Sequence, residues 1–153
     1  MEQRLRSIMK YEDAYQAALA IENYVHASEL EHSLVLLVKM RASQINGCAY
    51  CLHMHSLDAR KEGETEARLY LLDAWRESAL YTPRERAALA WTEALTLISK
   101  THAPDEVYNE VKEQFSEEEL IALTLAIGAI NTWNRISIGF RMHHPADKLQ
   151  KAA

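Results

Sequence analysis

Apolar residues recur at helical spacing along most of the chain, and no segment alternates with the two-residue period of a strand. In the first such segment, one helical face is formed by Tyr11, Ala14, Ala18, Ile21 and Val25. Helix breakers are scarce, since the chain contains only 4 glycines and 3 prolines. The pattern therefore predicts an all-α fold, a bundle of about six or seven helices.

Capping patterns and breakers give the approximate bounds of these helices. The predicted helices cover residues 9–26, 29–45, 48–63, 65–77, 83–101, 105–114 and 117–141. Three starts fit the capping box, in which a hydroxyl and a carboxylate satisfy each other's backbone amides: Ser28 with Glu31, Thr82 with Glu85, and Ser116 with Glu119. Asn46-Gly47 suits a left-handed helix exit. Nothing resembles an interdomain linker, so we predict one domain over residues 1–153.

Two predicted helices are apolar on more than one face, in the runs at 33–40 and 120–130. A helix of this kind is either central in its own chain or faces another subunit. We expect these runs to be hard to bury in one small domain, and therefore predict a homo-oligomer.

Composition and charge exclude several classes of protein. The net charge is −5, and lysine and arginine are spread along the chain rather than clustered as nucleic-acid binding requires. The first residues lack the apolar core of a signal peptide, and no apolar stretch approaches the roughly 20 residues that span a bilayer. We therefore expect a cytoplasmic protein that binds neither nucleic acid nor membranes. Thiols are reduced there, so a close cysteine pair is expected to be catalytic or metal-binding.

Both cysteines lie in NGCAYCLHMHSLDAR, where Cys48 and Cys51 are three positions apart and His55 follows four positions later. If Cys48 opens a helix, Cys51 and His55 share its face. The free amides and partial positive charge of a helix N-terminus favour a thiolate, and His55 can accept a proton from Cys51. Peroxide reduction needs such a cluster, because the sulfenic acid condenses with a second thiol and an external dithiol restores the pair.

Other interpretations of the pair stay open. Structural zinc requires four ligands, but the chain has no third cysteine, and His53 points to a different helical face from Cys48. Two inert buried cysteines would also be consistent with the spacing. A thioredoxin fold is excluded because no strand precedes the motif. We expect neither a metal nor any other cofactor.

The segments RASQINGCAYCLHMHSLDAR, GETEARLYLLDAWRES and RERAALAWTEALT resemble the carboxymuconolactone decarboxylase superfamily, in its alkylhydroperoxidase AhpD-like branch. The resemblance covers about residues 30–140 and implies an all-α dimer, trimer or hexamer. It implies a thiol peroxidase with Cys51 as the peroxidatic cysteine, Cys48 as the resolving one and His55 as the relay that activates Cys51. Tyr50 stands where one branch has a histidine, so its hydroxyl either passes a proton or binds substrate oxygen, or its ring is simply a core aromatic.

The chain departs from the family pattern at Leu36, where a carboxylate often precedes Cys48 by twelve residues and orients the relay histidine. A leucine cannot accept the proton of an imidazole. Glu93 is the expected substitute, because it lies on an otherwise apolar helix face where an unpaired charge is costly. The alternative is that Glu93 pairs with an arginine such as Arg41 or Arg135 and is purely structural.

The resemblance leads us to expect a peroxidase that acts on organic hydroperoxides and is reduced by an external dithiol, either a thioredoxin-like or a lipoylated protein. Two alternatives remain. A decarboxylase of a small lactone acid, with the same fold, would not need its cysteines. A redox-responsive oligomeric binding protein would change its assembly on reduction without turning over peroxide.

Overall fold

The computed structural model describes residues 2–5, 7–144 and 146, and all regular elements within them are helices. The α-helices are α1 (Glu12–His26), α2 (His32–Asn46), α3 (Ala49–Lys61), α4 (Glu66–Leu71), α5 (Pro83–Thr96), α6 (Ile98–Thr101), α7 (Asp105–Gln114) and α8 (Glu117–Gly139). Two 3₁₀ segments cover Ile8–Lys10 and Leu72–Glu77. The predicted all-α class is confirmed. None of the described helices combines the length and apolar character needed to cross a membrane.

The helix count exceeds the prediction because predicted helices are interrupted. The helix expected at 83–101 is divided at Leu97, whose φ of −102° and ψ of 30° lie outside the helical range. The helix expected at 65–77 changes from α-helix to 3₁₀ at Leu72 and bends at Ala74. The first helix begins at Glu12 rather than near residue 9, since the preceding turn is 3₁₀.

Two of the predicted capping boxes are confirmed. At the start of α5 the Glu85 amide donates to the Thr82 hydroxyl at 3.2 Å, and the Thr82 amide donates to the Glu85 carboxylate at 2.8 Å. Ser116 and Glu119 make the same pair of contacts at the start of α8, at 3.2 and 2.8 Å. Each box satisfies amides that a helix N-terminus leaves without an intrahelical partner.

The third predicted capping box, Ser28 with Glu31, is wrong. The Ser28 hydroxyl instead donates to the carbonyl of Val25 at 2.6 Å, at the end of α1. Glu31 is itself the N-cap of α2, and its carboxylate accepts from Arg84 at 2.9 Å. A charge-assisted hydrogen bond to a distant arginine is stronger than the local contact that the spacing suggested.

Helix α2 is the centre of the bundle and packs against α3, α5 and α8. All five side chains from Leu34 to Val38 are buried within the chain, so the expectation that this run is hard to bury in one chain is wrong. Fully burying such a side chain contributes about 1.5–3 kcal/mol. In α8 the run at 120–130 is buried on one side, while Ile121 is exposed. Assembly therefore stays a prediction.

Candidate active site

The turn between α2 and α3 presents the first cysteine. Gly47 has a φ of 69°, a left-handed conformation that glycine adopts without a Cβ penalty, so the predicted exit is confirmed. The next amide, that of Cys48, donates to the carbonyl of Ser43 at 3.0 Å. The chain thus turns sharply and begins α3 immediately, with Cys48 at its N-cap.

The two sulfurs are joined in a Cys48–Cys51 disulfide, with the Cα atoms 5.4 Å apart. The Cys51 amide donates to the Cys48 sulfur at 3.3 Å, so this sulfur takes the place of the usual capping oxygen. The prediction that Cys48 opens a helix is confirmed. Both cysteines are only 1% exposed, so any reagent that reaches them must displace a neighbouring side chain.

The Cys51 sulfur has a neighbour that the sequence reasoning missed. The Ser137 hydroxyl of α8 lies 3.8 Å from it and is buried. A disulfide sulfur carries no hydrogen, so the hydroxyl is the donor. The available signal was the spacing of Asn131, Asn134 and Ser137, three polar positions on one face of an otherwise apolar helix.

The same face of α8 binds Asn46, the residue before Gly47. The Asn46 amide donates to the side-chain oxygens of Asn134 at 2.8 Å and Asn131 at 3.0 Å. The Asn134 amide in turn donates to the Ser43 hydroxyl at 3.0 Å. Buried amides are costly unless they are paired, and here the pairing holds the C-terminal end of α2, just before the turn into α3, against α8.

A cavity of about 220 Å³ lies between α2 and α3. Its lining is mostly charged or polar and consists of His32, Leu36, Lys39, His55, Asp58, Lys61 and Glu62. His55 is only 7% exposed, and its Nδ1 atom is buried without a hydrogen-bond partner. Neither cysteine is among the lining residues, and His55 follows Cys51 by four positions, one turn along α3.

Burial lowers the pKa of His55 from 6.5 to about 4, because the surroundings disfavour the charged imidazolium. The Lys39 ammonium acts in the same direction, while the Glu22 and Asp58 carboxylates oppose it. The imidazole is therefore neutral at pH 7 and has a free lone pair, as a proton acceptor requires.

Glu93 lies away from the cavity and pairs with Arg41, as the alternative structural interpretation expected. Its carboxylate accepts from Arg41 and from the Trp75 indole, both at 2.8 Å, and also from Arg76. Burial raises the pKa of Glu93, but the donors Trp75, Arg76 and Arg41 outweigh burial and hold it below the usual value. Glu93 does not line the cavity at His55. The structure therefore does not place Glu93 with His55 at the cavity.

Tyr50 and Trp133 cover the disulfide. Both pack against a buried cluster that contains Cys48, Cys51 and Ile130, together with Ala42. The Trp133 indole donates to Glu22 of α1 at 3.0 Å, which holds that ring in place. Tyr50 is thus a partly buried aromatic neighbour of the cluster that contains the sulfurs.

The zinc interpretation finds no ligand set. Among residues 2–5, 7–144 and 146, no group of three or more histidine, cysteine or acidic side chains is arranged to hold a metal ion. His53 would have been a local ligand, but its ring lies 5.2 Å from that of His144.

Comparisons with known proteins find relatives that cover most of the chain. The sequence profile of the carboxymuconolactone decarboxylase family matches residues 12–94. The uncharacterized protein YdfG of Bacillus subtilis is 44% identical over 138 residues, which is 90% of this chain and 94% of YdfG. A crystal structure from Agrobacterium tumefaciens, of unknown function and described as a candidate antioxidant defence protein AhpD, is 47% identical. It has a TM-score of 0.90 and covers 94% of this chain and 99% of its own.

The fold also occurs in a debrominase. The debrominase Bmp8 has a TM-score of 0.78 at 23% identity, with 91% of this chain and 75% of Bmp8 covered. At that identity the likeness concerns the fold alone.

Proposed function

The chain belongs to the carboxymuconolactone decarboxylase family, and from this premise we propose that it is a thiol-dependent peroxidase that reduces organic hydroperoxides. One observation carries the proposal: the Cys48–Cys51 pair opens α3, and the neutral, unpaired imidazole of His55 follows on the same helix. The AhpD-like relative at 47% identity supports the same chemistry.

The reaction begins with the reduced pair. Cys51 gives its proton to His55, and the thiolate attacks the outer oxygen of the hydroperoxide. The O–O bond breaks, the sulfur takes the hydroxyl as a sulfenic acid, and the alkoxide leaves as an alcohol with the proton from His55. The Cys48 sulfur then attacks the sulfenic sulfur, the S–O bond breaks, and the proton of the Cys48 thiol passes to the departing hydroxide, so the disulfide forms and water is released.

An external dithiol completes the cycle by thiol–disulfide exchange and is oxidised to its own disulfide. Two electrons thus pass from that dithiol to the peroxide. We propose a thioredoxin-like or lipoylated protein as its source, in the cytoplasm. Because the disulfide is buried, Tyr50 must move aside for this partner, and we assign its ring to the cover of the site and its hydroxyl to contact with the peroxide oxygen.

The test is turnover of cumene hydroperoxide with several dithiol reductants, with free thiols counted in parallel. Consumption of one peroxide per dithiol, absent in the Cys48→Ser, Cys51→Ser double variant, is the expected result. Turnover of a lactone acid that persists in the double variant would instead identify a decarboxylase. No peroxide consumption, together with a change of assembly on reduction, would identify a redox-responsive binding protein.

A further inference from the structure

We infer that Glu22 of α1 and Lys39 of α2 together position and tune His55, in place of the carboxylate that position 36 lacks. The inference deepens the proposed function, because it identifies the groups that prepare the relay histidine. It rests on three observations: the wall of the cavity, the ion pair and the free nitrogen of the imidazole.

The cavity shows that position 36 lies beside the imidazole. Leu36 and Lys39 are one helical turn apart on α2, and both line the cavity together with His55. The leucine contributes only apolar surface to that wall. One turn after the leucine, α2 places the ammonium of Lys39 in the same cavity wall.

Lys39 does not face the cavity as a lone cation. Its ammonium lies 2.6 Å from the Glu22 carboxylate, and the two side chains are only 12% and 20% exposed. The other oxygen of Glu22 accepts from the Trp133 indole at 3.0 Å, so the carboxylate is held at both ends. A largely buried ion pair adds little net stability compared with apolar packing, so its presence here calls for another role.

The charged and titratable groups that face His55 come from three helices. Helix α1 contributes Glu22, α2 contributes His32 and Lys39, and α3 contributes Asp58, Lys61 and Glu62. Helix α8 also packs on α3, but among its described residues no charged group lines the cavity. His32 and Glu62 are largely exposed, and solvent screens them more than the buried pair.

The two members of the pair act on His55 with opposite sign. Burial is the main cause of the low pKa of His55; beyond burial, Lys39 disfavours the imidazolium and Glu22 favours it, so the balance between them adjusts how readily the imidazole takes a proton. Nδ1 of His55 has no hydrogen bond that would otherwise fix its protonation, so its proton affinity depends on burial and on the charges around it, the pair among them. Glu22 also holds the ammonium in one place, which a flexible lysine would not keep alone.

The test follows the titration of the His55 ring by NMR in the disulfide form of the full chain. Lys39→Met should move the midpoint to higher pH, and Glu22→Gln should move it to lower pH, each by roughly half a unit or more. Midpoints that stay within 0.2 unit, or that move in the same direction in both variants, would overturn the inference. Thermal melting of each variant establishes that it is folded.

Two further variants keep the test decisive if a single loss destabilises the protein. The Glu22→Gln, Lys39→Met double variant removes both charges together and should place the midpoint between those of the single variants. Glu22→Asp keeps the carboxylate and should restore the parent midpoint at least in part, whereas a purely structural role predicts no such recovery.

Glu93 provides a matched control. Its pair with Arg41 is as buried as the proposed one, at 17% and 12% exposure, but it lies away from the cavity. Glu93→Gln should lower the melting temperature about as much as Glu22→Gln and leave the His55 midpoint unchanged. A shift as large as that of Glu22→Gln would show that the ring merely responds to any broken ion pair, which would refute the inference.

Failure of the inference can be told apart from failure of the proposed function. The ring titration needs no peroxide, so opposite shifts support the positioning role whether or not the protein is a peroxidase. If peroxide is also turned over, the acid limb of turnover should follow the ring midpoint in every variant. Shifts without any peroxide turnover would remove the proposed function and leave the positioning role in place.

Discussion

Leu36 and His55 line the same cavity, one on α2 and the other on α3. The family resemblance puts a histidine-orienting carboxylate at position 36, and the structure shows that this position does lie at the imidazole. Replacement by leucine therefore removes a charge from the site itself rather than from a remote part of the fold. The proton affinity of His55 should therefore respond to a carboxylate placed at position 36.

Leu36→Glu tests whether the site still responds to a carboxylate there. Leu36 is only 4% exposed, so the new group needs Lys39 or His55 as a partner to stay ionised. If it does, His55 becomes a stronger base and the midpoint pH for Cys51 alkylation should fall. Leu36→Gln, which has the same shape without the charge, is the control. A folded Leu36→Glu protein with an unchanged midpoint would show that position 36 has no part in the relay.

The two sulfurs should differ in reactivity. Cys51→Ser should abolish the fast reaction with peroxide, because it removes the proposed peroxidatic thiol. Cys48→Ser should still form one sulfenic acid rapidly but resolve it slowly. A sulfenate-trapping probe followed by peptide mapping measures both. Labelling of Cys48 in the Cys51→Ser variant would reverse the assignment. The backbone amide of residue 51, which donates to the Cys48 sulfur, would then be the group that stabilises the reactive thiolate.

Ser137 should stabilise the Cys51 thiolate. Ser137→Ala removes the hydroxyl 3.8 Å from the sulfur, and the midpoint of Cys51 alkylation should rise by roughly one pH unit or less. Hydrogen bonds to charged groups contribute about 1.5–3 kcal/mol, and this contact is long. Ser137→Thr keeps a hydroxyl and should restore the parent value.

Ser56→Ala is the control for this prediction. Ser56 also lies on a helix of the site, but its hydroxyl donates to the carbonyl of His53 rather than to a sulfur. Equal midpoints in the Ser137→Ala variant and the parent would assign Ser137 to packing alone.

His55 should make the stability of the protein depend on pH. Its pKa is lowered from 6.5 to about 4 in the folded state, so as the pH falls the unfolded chain takes up the proton first. The free energy of unfolding should therefore be undiminished above pH 6.5 and fall by up to about 3 kcal/mol towards pH 4. Urea unfolding at several pH values measures this. His55→Gln should remove most of the slope attributed to this residue, and His53→Gln should not.

The capping boxes of α5 and α8 were predictable from the sequence because the hydroxyl and the carboxylate that form each box are only three residues apart. The same pattern failed at Glu31 because its partner, Arg84, is 53 residues away. Distance along the chain also explains the missed parts of the site. Ser137 is 86 residues from Cys51, and no local spacing relates Glu22 to Lys39. Local motifs located the cysteines and His55, but the groups that tune them come from other helices.

Assembly remains a prediction, but with a different basis. The run at 34–38 is buried inside the chain, so it offers no surface to a second subunit. The exposed apolar side chains Met54 and Leu57, one turn apart on α3, do offer one. Light scattering should therefore give a mass of two or more times the 17.5 kDa of one chain. A value near that of a single chain would contradict the prediction.

The amides of Asn46 and Asn134, which hold the C-terminal end of α2 against α8, carry no charge at any pH in the working range. The opposite side of the site, around His55, is built from groups that gain or lose protons. The amide contacts therefore keep the same charge state as the pH changes, whereas the charges around His55 change with pH. Acidification should therefore change the reactivity of the sulfurs through protonation around His55, while the uncharged amide contacts at the end of α2 do not titrate. pH–rate profiles measured where the protein is still folded would report the proton equilibria of the site.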